Sequence, residues 1–200
     1  MRTIALAIAM LGMLVLPALA QTPDAPAPVR VRGTIEKVDG DNLTVKARDG
    51  TEVKVAVTDK TRLQSLAKKG IADIKTGDFL ASTGAKGADG KLHAIEVRIL
   101  PQPSGGSQYP WDLGADSMMT NATVGTVSEA PQGKVVHVKF KDGESEYSIG
   151  PNVPIFAPVP GDKSLLKPGI AVFLLGPKGP DGTVKPNFMY VEKDGIKPPM

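Results

Sequence analysis

The chain has 200 residues, a formal net charge of +3 and no cysteine. The length allows one or two domains, and the lack of cysteine excludes disulfides, thiol nucleophiles and a lipid-modified N-terminal cysteine. The small positive charge gives no reason to expect nucleic-acid binding. Many glycines (22) and prolines (18), with few aromatic residues (4%), are typical of short strands and turns.

The first 20 residues have the pattern of a signal peptide. Arg2 provides a positive start, residues 4–16 are mostly apolar, and Ala18-Leu19-Ala20 places small residues where signal peptidase reads them. We therefore expect cleavage after Ala20 and a periplasmic mature protein. Residues 21–28 form a Pro/Ala-rich tether. We expect no transmembrane segment after cleavage, because no later stretch is apolar and long enough.

Residues 29–100 contain several segments that alternate between apolar and polar residues, the period of half-buried strands. Asp49-Gly50 predicts a hairpin, because both central residues of a type I′ turn need positive φ. Residues 58–70 lose the period of two and end in lysines and a glycine, which predicts a short helix. Three strands, a helix and two strands follow the order of the OB-fold, a small Greek-key barrel. The alternative is a five-stranded SH3-like barrel without a helix.

The second half of the chain repeats the first. The sharpest match joins residues 84–92 to residues 176–184. Three further segments match in the same order: 33–35 with 125–127, 43–50 with 136–143, and 74–77 with 166–169. Dense prolines in residues 151–161 exclude a regular helix from the second copy.

We interpret this pattern as a tandem duplication. The predicted fold is all-β with a short helix, and consists of two tandem OB-like five-stranded barrels. The predicted boundaries are residues 29–100 for the first domain, 101–121 for a connector, 122–193 for the second domain and 194–200 for a C-terminal tail.

The connector contains the chain's single tryptophan and an adjacent pair of methionines, and it offers two interpretations. In the first, its large side chains pack in the seam between the domains or line a ligand site, because such side chains gain most from burial. The residues concerned are Tyr109, Trp111, Asp112, Met118 and Met119. In the second, thioethers and a tryptophan face bind Cu(I) or Ag(I).

The metal interpretation uses Met118, Met119 and His93 beside Trp111. In this respect the connector resembles the exported copper/silver chaperones, which are single OB-like domains that use Met, His and Trp. We favour packing, because adjacent methionines on an extended chain point to opposite sides. No cofactor is predicted under the favoured interpretation.

The residues needed for catalysis are scarce, so we predict that the protein is not an enzyme. Its histidines, His93 and His137, have no serine nucleophile motif beside them. Zinc would need three or four suitable ligands. Nucleic-acid binding is not expected either, because the predicted strands of the first block hold one aromatic residue, Phe79, and single-strand binding needs aromatic platforms over a basic groove.

Four motifs carry a resemblance to a known family: Gly33 to Gly40, Tyr109 to Asp112, Ser117 to Val124, and Lys193 to Met200. With them, the chain resembles exported alphaproteobacterial proteins of about this length. Their repeats are similar to a bacterial domain of unknown function with an OB-like barrel. Members are often labelled "metal ABC transporter permease". This sequence argues against that label, because a permease needs several membrane spans and none is predicted after the signal peptide. The resemblance implies the fold and the export, and no established activity.

Together these observations predict a non-enzymatic binding or interaction protein of the cell envelope. Its partner would be an envelope protein or a small ligand. The alternative is a soft-metal binding protein that uses the Trp/Met connector.

Overall fold

The computed structural model describes residues 27–103 and 105–199, and the predicted signal peptide lies outside them. The described residues form thirteen strands and two short 3-10 turns, which confirms the all-β class. The strands are β1 (Val29–Asp39), β2 (Asn42–Ala47), β3 (Glu52–Ala56), β4 (Arg62–Lys69), β5 (Phe79–Lys86), β6 (Leu92–Leu100), β7 (Ser107–Pro110), β8 (Ser117–Ala130), β9 (Gly133–Phe140), β10 (Gly143–Ile149), β11 (Ile155–Pro160), β12 (Ala171–Gly176) and β13 (Phe188–Val191). The 3-10 turns are Ile71–Asp73 and Lys163–Leu165.

One five-stranded barrel is closed by β8, β9, β10, β6 and β5, in that order around the barrel. The pairing of β10 with β6, in which Tyr147 lies opposite Leu92, is parallel. The other pairings are antiparallel, as in an OB-type Greek-key barrel. Strands β8 to β10 come from the second repeat, and β5 and β6 come from the first.

The other barrel has the reverse composition. Strand β1 pairs with β2 and β12, β2 pairs with β3, and β12 pairs with β13. The segment just before β13 closes this barrel on β3. There the Val184 N–H donates to the Lys54 carbonyl (2.8 Å), and the Ala56 N–H donates to the Val184 carbonyl (2.9 Å). Each barrel therefore takes three strands from one repeat and two from the other.

The two hydrophobic cores follow this exchange. In one core, Leu174 and Met189 of the second repeat pack with Ile35 and Val45 of the first. In the other, first-repeat side chains pack with those of the second; its fully buried members include Leu80, Val97, Val124 and Val138. The predicted boundaries 29–100 and 122–193 thus mark the repeats along the sequence, whereas each core is shared between both repeats.

The helix predicted within residues 58–70 is wrong, because most of this segment is strand β4. Strand β4 lies between the barrels, parallel to β13 and antiparallel to β11. Eight extended residues span about 26 Å, whereas eight helical residues span about 12 Å. The chain has to cross from one barrel to the other at this point, so the extended form supplies the reach. The only helical turn nearby is Ile71–Asp73.

A β-bulge corrects one predicted repeat match. In β1 the register with β2 shifts after Ile35, and in β8 the register with β9 shifts after Val124. Ile35 and Val124 are therefore equivalent, since they pair with Val45 and Val138, respectively. The match of residues 33–35 with residues 125–127 is displaced by three positions at this strand. As a consequence, Arg32 of β1 is equivalent to Asn121 of β8.

Candidate ligand-binding cleft

A cleft of about 570 Å³ lies where the two barrels meet. Its walls combine aromatic rings, two arginines and side-chain amides, and within the described part of the chain they include no carboxylate. The rings are Tyr109, Trp111, Phe173, Phe188 and Tyr190; the arginines are Arg62 and Arg98; the amides are Gln64, Gln102 and Asn121; Met119, Ala81 and several leucine and proline side chains complete the lining.

Strand pairing places the key side chains in two short rows. In one row, Ala81 of β5 lies opposite both Asn121 of β8 and Arg98 of β6. In the other row, Tyr190 of β13 lies opposite Phe173 of β12 and Gln64 of β4. Residues directly opposite each other on neighbouring strands share one face of a sheet. The two rows thus form two walls of the cleft.

The rows are equivalent in the duplication but differ in chemistry. Four pairs of equivalent residues lie 92 positions apart, and the register of their strands is the same in both halves. The pairs are Gln64 with Phe156, Ala81 with Phe173, Glu96 with Phe188, and Arg98 with Tyr190. The first repeat supplies small or polar side chains, and the second supplies aromatic rings.

Two pairs of equivalent positions on the core face have kept their apolar character. Leu80 and Val172 are both apolar and buried, and so are Val97 and Met189. A third pair, Ser82 and Leu174, differs, so the repeats have diverged inside the barrels as well. Where the barrels face each other, the divergence exchanges small or polar side chains for aromatic rings. The result is a cleft with a polar wall and an aromatic wall.

Arg98 of the polar wall forms a buried ion pair with Glu96, which lies outside the lining. Glu96 is 3% exposed and Arg98 is 6% exposed, and the Glu96 Oε1 atom lies 2.9 Å from the Arg98 Nε atom. The two atoms face each other without the alignment of a hydrogen bond. Burial raises the pKa of Glu96, although the positive charges of Arg98 and Arg32 oppose this shift.

Both buried arginines reach the aromatic wall. The Arg98 guanidinium carbon lies 5.5 Å from the centre of the Tyr190 ring, and that of Arg32 lies 4.7 Å from the Phe173 ring. Contacts of this kind are electrostatically attractive because the face of an aromatic ring is negative. The Arg98–Tyr190 contact joins the two walls, whereas Arg32 lies opposite Phe173 on the neighbouring strand of the same wall.

The connector closes one end of the cleft. Tyr109 lies in β7, which extends the barrel of β8, and its ring meets the Trp111 ring edge-on at 5.8 Å. The Trp111 ring in turn contacts Phe173 at 6.4 Å, and the Arg30 guanidinium carbon lies 4.1 Å from it. Trp111 therefore bridges the two barrels while it remains half-buried.

Asp112 fixes the connector to β1. Its carboxylate accepts a hydrogen bond from the Arg32 Nη1 atom at 2.8 Å, and the Arg30 Nη1 atom lies 3.9 Å away. Burial opposes ionisation of Asp112, but the Arg32 hydrogen bond and the two positive charges outweigh it and lower the pKa of this carboxyl. Asp112 therefore stays ionised at neutral pH.

The structure separates the residues of the metal hypothesis. Met118 and Met119 are consecutive in β8, a barrel strand that begins at Ser117, inside the range predicted for the connector. Met119 is buried and lines the cleft, whereas Met118 lines a separate pocket beside Trp111. His93 lies in a third pocket. In the described ranges, no group of three His, Asp or Glu side chains is placed to hold a metal ion.

His93 instead forms a surface chain of hydrogen bonds. Its Nε2 atom lies 3.0 Å from the Asp89 Oδ1 atom, and its Nδ1 atom lies 2.8 Å from the Ser148 Oγ atom. The His93 contact lowers the pKa of Asp89. The composition is that of a catalytic triad, but the histidine and aspartate are half-exposed, and Ser148 lies within a regular strand. Nucleophilic serines of hydrolases stand on sharp strand-to-helix turns, in sites that exclude water.

His137 lies on the exposed side of β9. It is exposed between the buried Val136 and Val138, and it pairs with Glu146 on the neighbouring strand.

The structure therefore brings Tyr109, Trp111 and Met119 to the cleft and leaves Asp112, Met118 and His93 in other pockets. Sequence reasoning missed Glu96, Arg98 and the aromatic wall. A signal was available, because aligning the two repeats places Glu96 and Arg98 against Phe188 and Tyr190. An exchange of charged for aromatic side chains at equivalent positions marks a surface with a new role.

Comparisons of the chain with protein-family models, curated proteins and solved structures find no match. Among the described residues, no helix is long and apolar enough to cross a membrane.

Proposed function

We propose that this protein is a non-enzymatic binding protein of the cell envelope that holds a small ligand in the cleft between its barrels. The observation that carries the proposal is the cleft of about 570 Å³, which the diverged repeats line with polar side chains on one wall and aromatic rings on the other. An address in the periplasm is supported by the signal-peptide pattern of residues 1–20 and by the family resemblance.

The size and lining of the cleft favour a ligand over simple packing. Ligand sites commonly enclose about 300–1,000 Å³ and combine apolar walls with a few polar groups. A seam that served packing alone would gain most by bringing its apolar walls into contact. Here five aromatic rings border open space instead.

The test uses Trp111, the only tryptophan, as a reporter inside the cleft. We expect the naphthalene dyes 1-anilinonaphthalene-8-sulfonate and N-phenyl-1-naphthylamine to accept excitation energy from Trp111, with at least one of them saturating at one equivalent. Ala81→Phe should abolish the saturable signal, because it places a ring from the polar side into the cleft. Ala81→Ser, which leaves the space open, is the matched control. Failure of both dyes to saturate would contradict the proposal.

Binding of Cu(I) or Ag(I) is the second candidate, and one contact favours it: Trp111 borders the pockets of both Met118 and Met119. Because the two methionines occupy opposite faces of β8, a single ion would meet only one thioether. We therefore expect Ag(I) to give no saturable quenching of Trp111 at one equivalent. Saturable quenching that is lost in Met118→Leu or Met119→Leu would place metal binding first.

A further inference from the structure

The charged side chains of the cleft point to one class of ligand. Arg62 and Arg98 are the charged residues of the lining in the described part of the chain, and both are positive. Glu96, the buried partner of Arg98, lies outside this lining, and Arg30, Arg32 and Asp112 line a separate pocket. A positive excess in a confined, weakly screened space attracts anions.

Arg98 is held ready to bind such an anion. A guanidinium has five N–H donors in a fixed plane, and the Arg98 side chain borders the cleft although it is more than nine-tenths buried. Its Nε atom has no hydrogen-bond partner among the described residues. The Glu96 carboxylate fixes the Nε edge of Arg98 at 2.9 Å, and Arg98 lines the cleft whereas Glu96 does not.

The aromatic wall sets the shape of the rest of the ligand. Phe173 and Tyr190 are stacked, with ring centres 6.4 Å apart and an angle of 19° between their planes. Phe188 meets both rings edge-on. A neutral sugar would also stack on such rings, but a cleft with two arginines and no carboxylate matches an acid better than a polyol.

We propose that the cleft selects anions with a flat apolar body: the acid group binds the Arg98 guanidinium, and the body packs against Phe173 and Tyr190. This inference rests on the proposed function, since it names the ligand class of the same cleft.

The two dyes named above form the matched pair that tests it, because they share the anilinonaphthalene rings and differ by one sulfonate. We expect the sulfonate dye to bind the full mature chain at least about tenfold more tightly than the neutral dye, the factor that one charge-assisted hydrogen bond supplies. The preference should shrink as salt is raised. Arg98→Gln should remove the preference and leave the affinity for the neutral dye unchanged.

Two further variants keep the test decisive. Glu96→Gln combined with Arg98→Gln replaces the ion pair by neutral amides, and it should lose the preference even if Arg98→Gln alone does not fold. Arg48→Gln removes an exposed arginine outside the cleft and should leave the preference intact. Equal affinity for both dyes, or a preference that survives the double substitution, would overturn the anion proposal while binding in the cleft stands. Failure of both dyes to saturate, or binding that persists in Ala81→Phe, would instead contradict the proposed function itself.

Discussion

Fragments 27–103 and 105–199 are expected to remain unfolded as separate monomers and to form one folded 1:1 complex when mixed. The first fragment contains β5 and β6, whose barrel partners β8, β9 and β10 all lie in the second fragment. In the same way, β12 and β13 have their barrel partners in the first. Each fragment alone would expose half of each core.

The burial free energy lost on separating the fragments is large compared with the free energy of unfolding of a typical protein. Fully burying one large aliphatic side chain contributes about 1.5–3 kcal/mol, and a typical domain is stable by about 5–15 kcal/mol. Leu80 and Val97 in one fragment, and Leu174 and Met189 in the other, are all fully buried against strands of the opposite fragment. Separating the fragments therefore removes more burial free energy than either fragment could recover by folding alone.

Circular dichroism and size-exclusion chromatography of each fragment and of the mixture measure this directly. The matched control is the full chain with a protease site inserted after residue 103 and cut after folding. It should stay assembled, because both fragments are already paired. A cooperative thermal transition in either isolated monomeric fragment would show that the repeats fold independently, against the exchanged arrangement.

The exchange of strands also explains how far sequence reasoning could go. The period of two identified most strands, because each buries one face, and the internal repeat identified two barrels. The repeat could not identify which strands share a barrel. Strands β5 and β12 are equivalent copies, so pairing within a repeat and pairing between repeats satisfy the same hydrophobic pattern.

The wrong helix has a related cause. Strand β4 is covered by β11 and β13 and has buried residues, Ser65 and Leu66, next to each other. It therefore lacks the alternation by which a half-buried strand is recognised. Without the period of two, the closing lysines and glycine of this segment predict a helix, because the sequence contains no information on the opposite barrel.

The candidate site was predictable only in part. Trp111 was identifiable as a candidate because it is the only tryptophan, and Tyr109 and Asp112 were identified as its neighbours in the connector. Glu96 and Arg98 alternate with apolar residues along β6, a pattern that normally indicates a solvent-facing side. They are buried because the second barrel covers that side. A local sequence pattern cannot predict a contact with a distant part of the chain.

Glu96→Ala is expected to lower the free energy of unfolding by about 3–5 kcal/mol, the usual effect of removing one partner of a buried ion pair. The substitution leaves Arg98, and at longer range Arg32, without its opposite charge in a buried setting. Urea denaturation measures the change. Replacing both partners by leucine is the matched control and should cost far less, because an apolar pair needs no compensating charge. A double variant as unstable as Glu96→Ala would show that the loss comes from packing.

The contribution of Glu96 to the free energy of unfolding depends on pH in a definite direction. Burial raises the pKa of Glu96 in the folded chain above its ordinary value of 4.5, so the folded state binds the proton more tightly than the unfolded state. This group therefore contributes most to stability below about pH 4.5, and the contribution is lost as the pH rises through the folded-state pKa. Glu96→Gln cannot titrate and should lack this component, so the stability of the native chain relative to Glu96→Gln should fall between pH 4 and pH 7. A relative stability that rises over this range would mean that the arginines outweigh burial, and that Glu96 is held as a carboxylate in the folded protein.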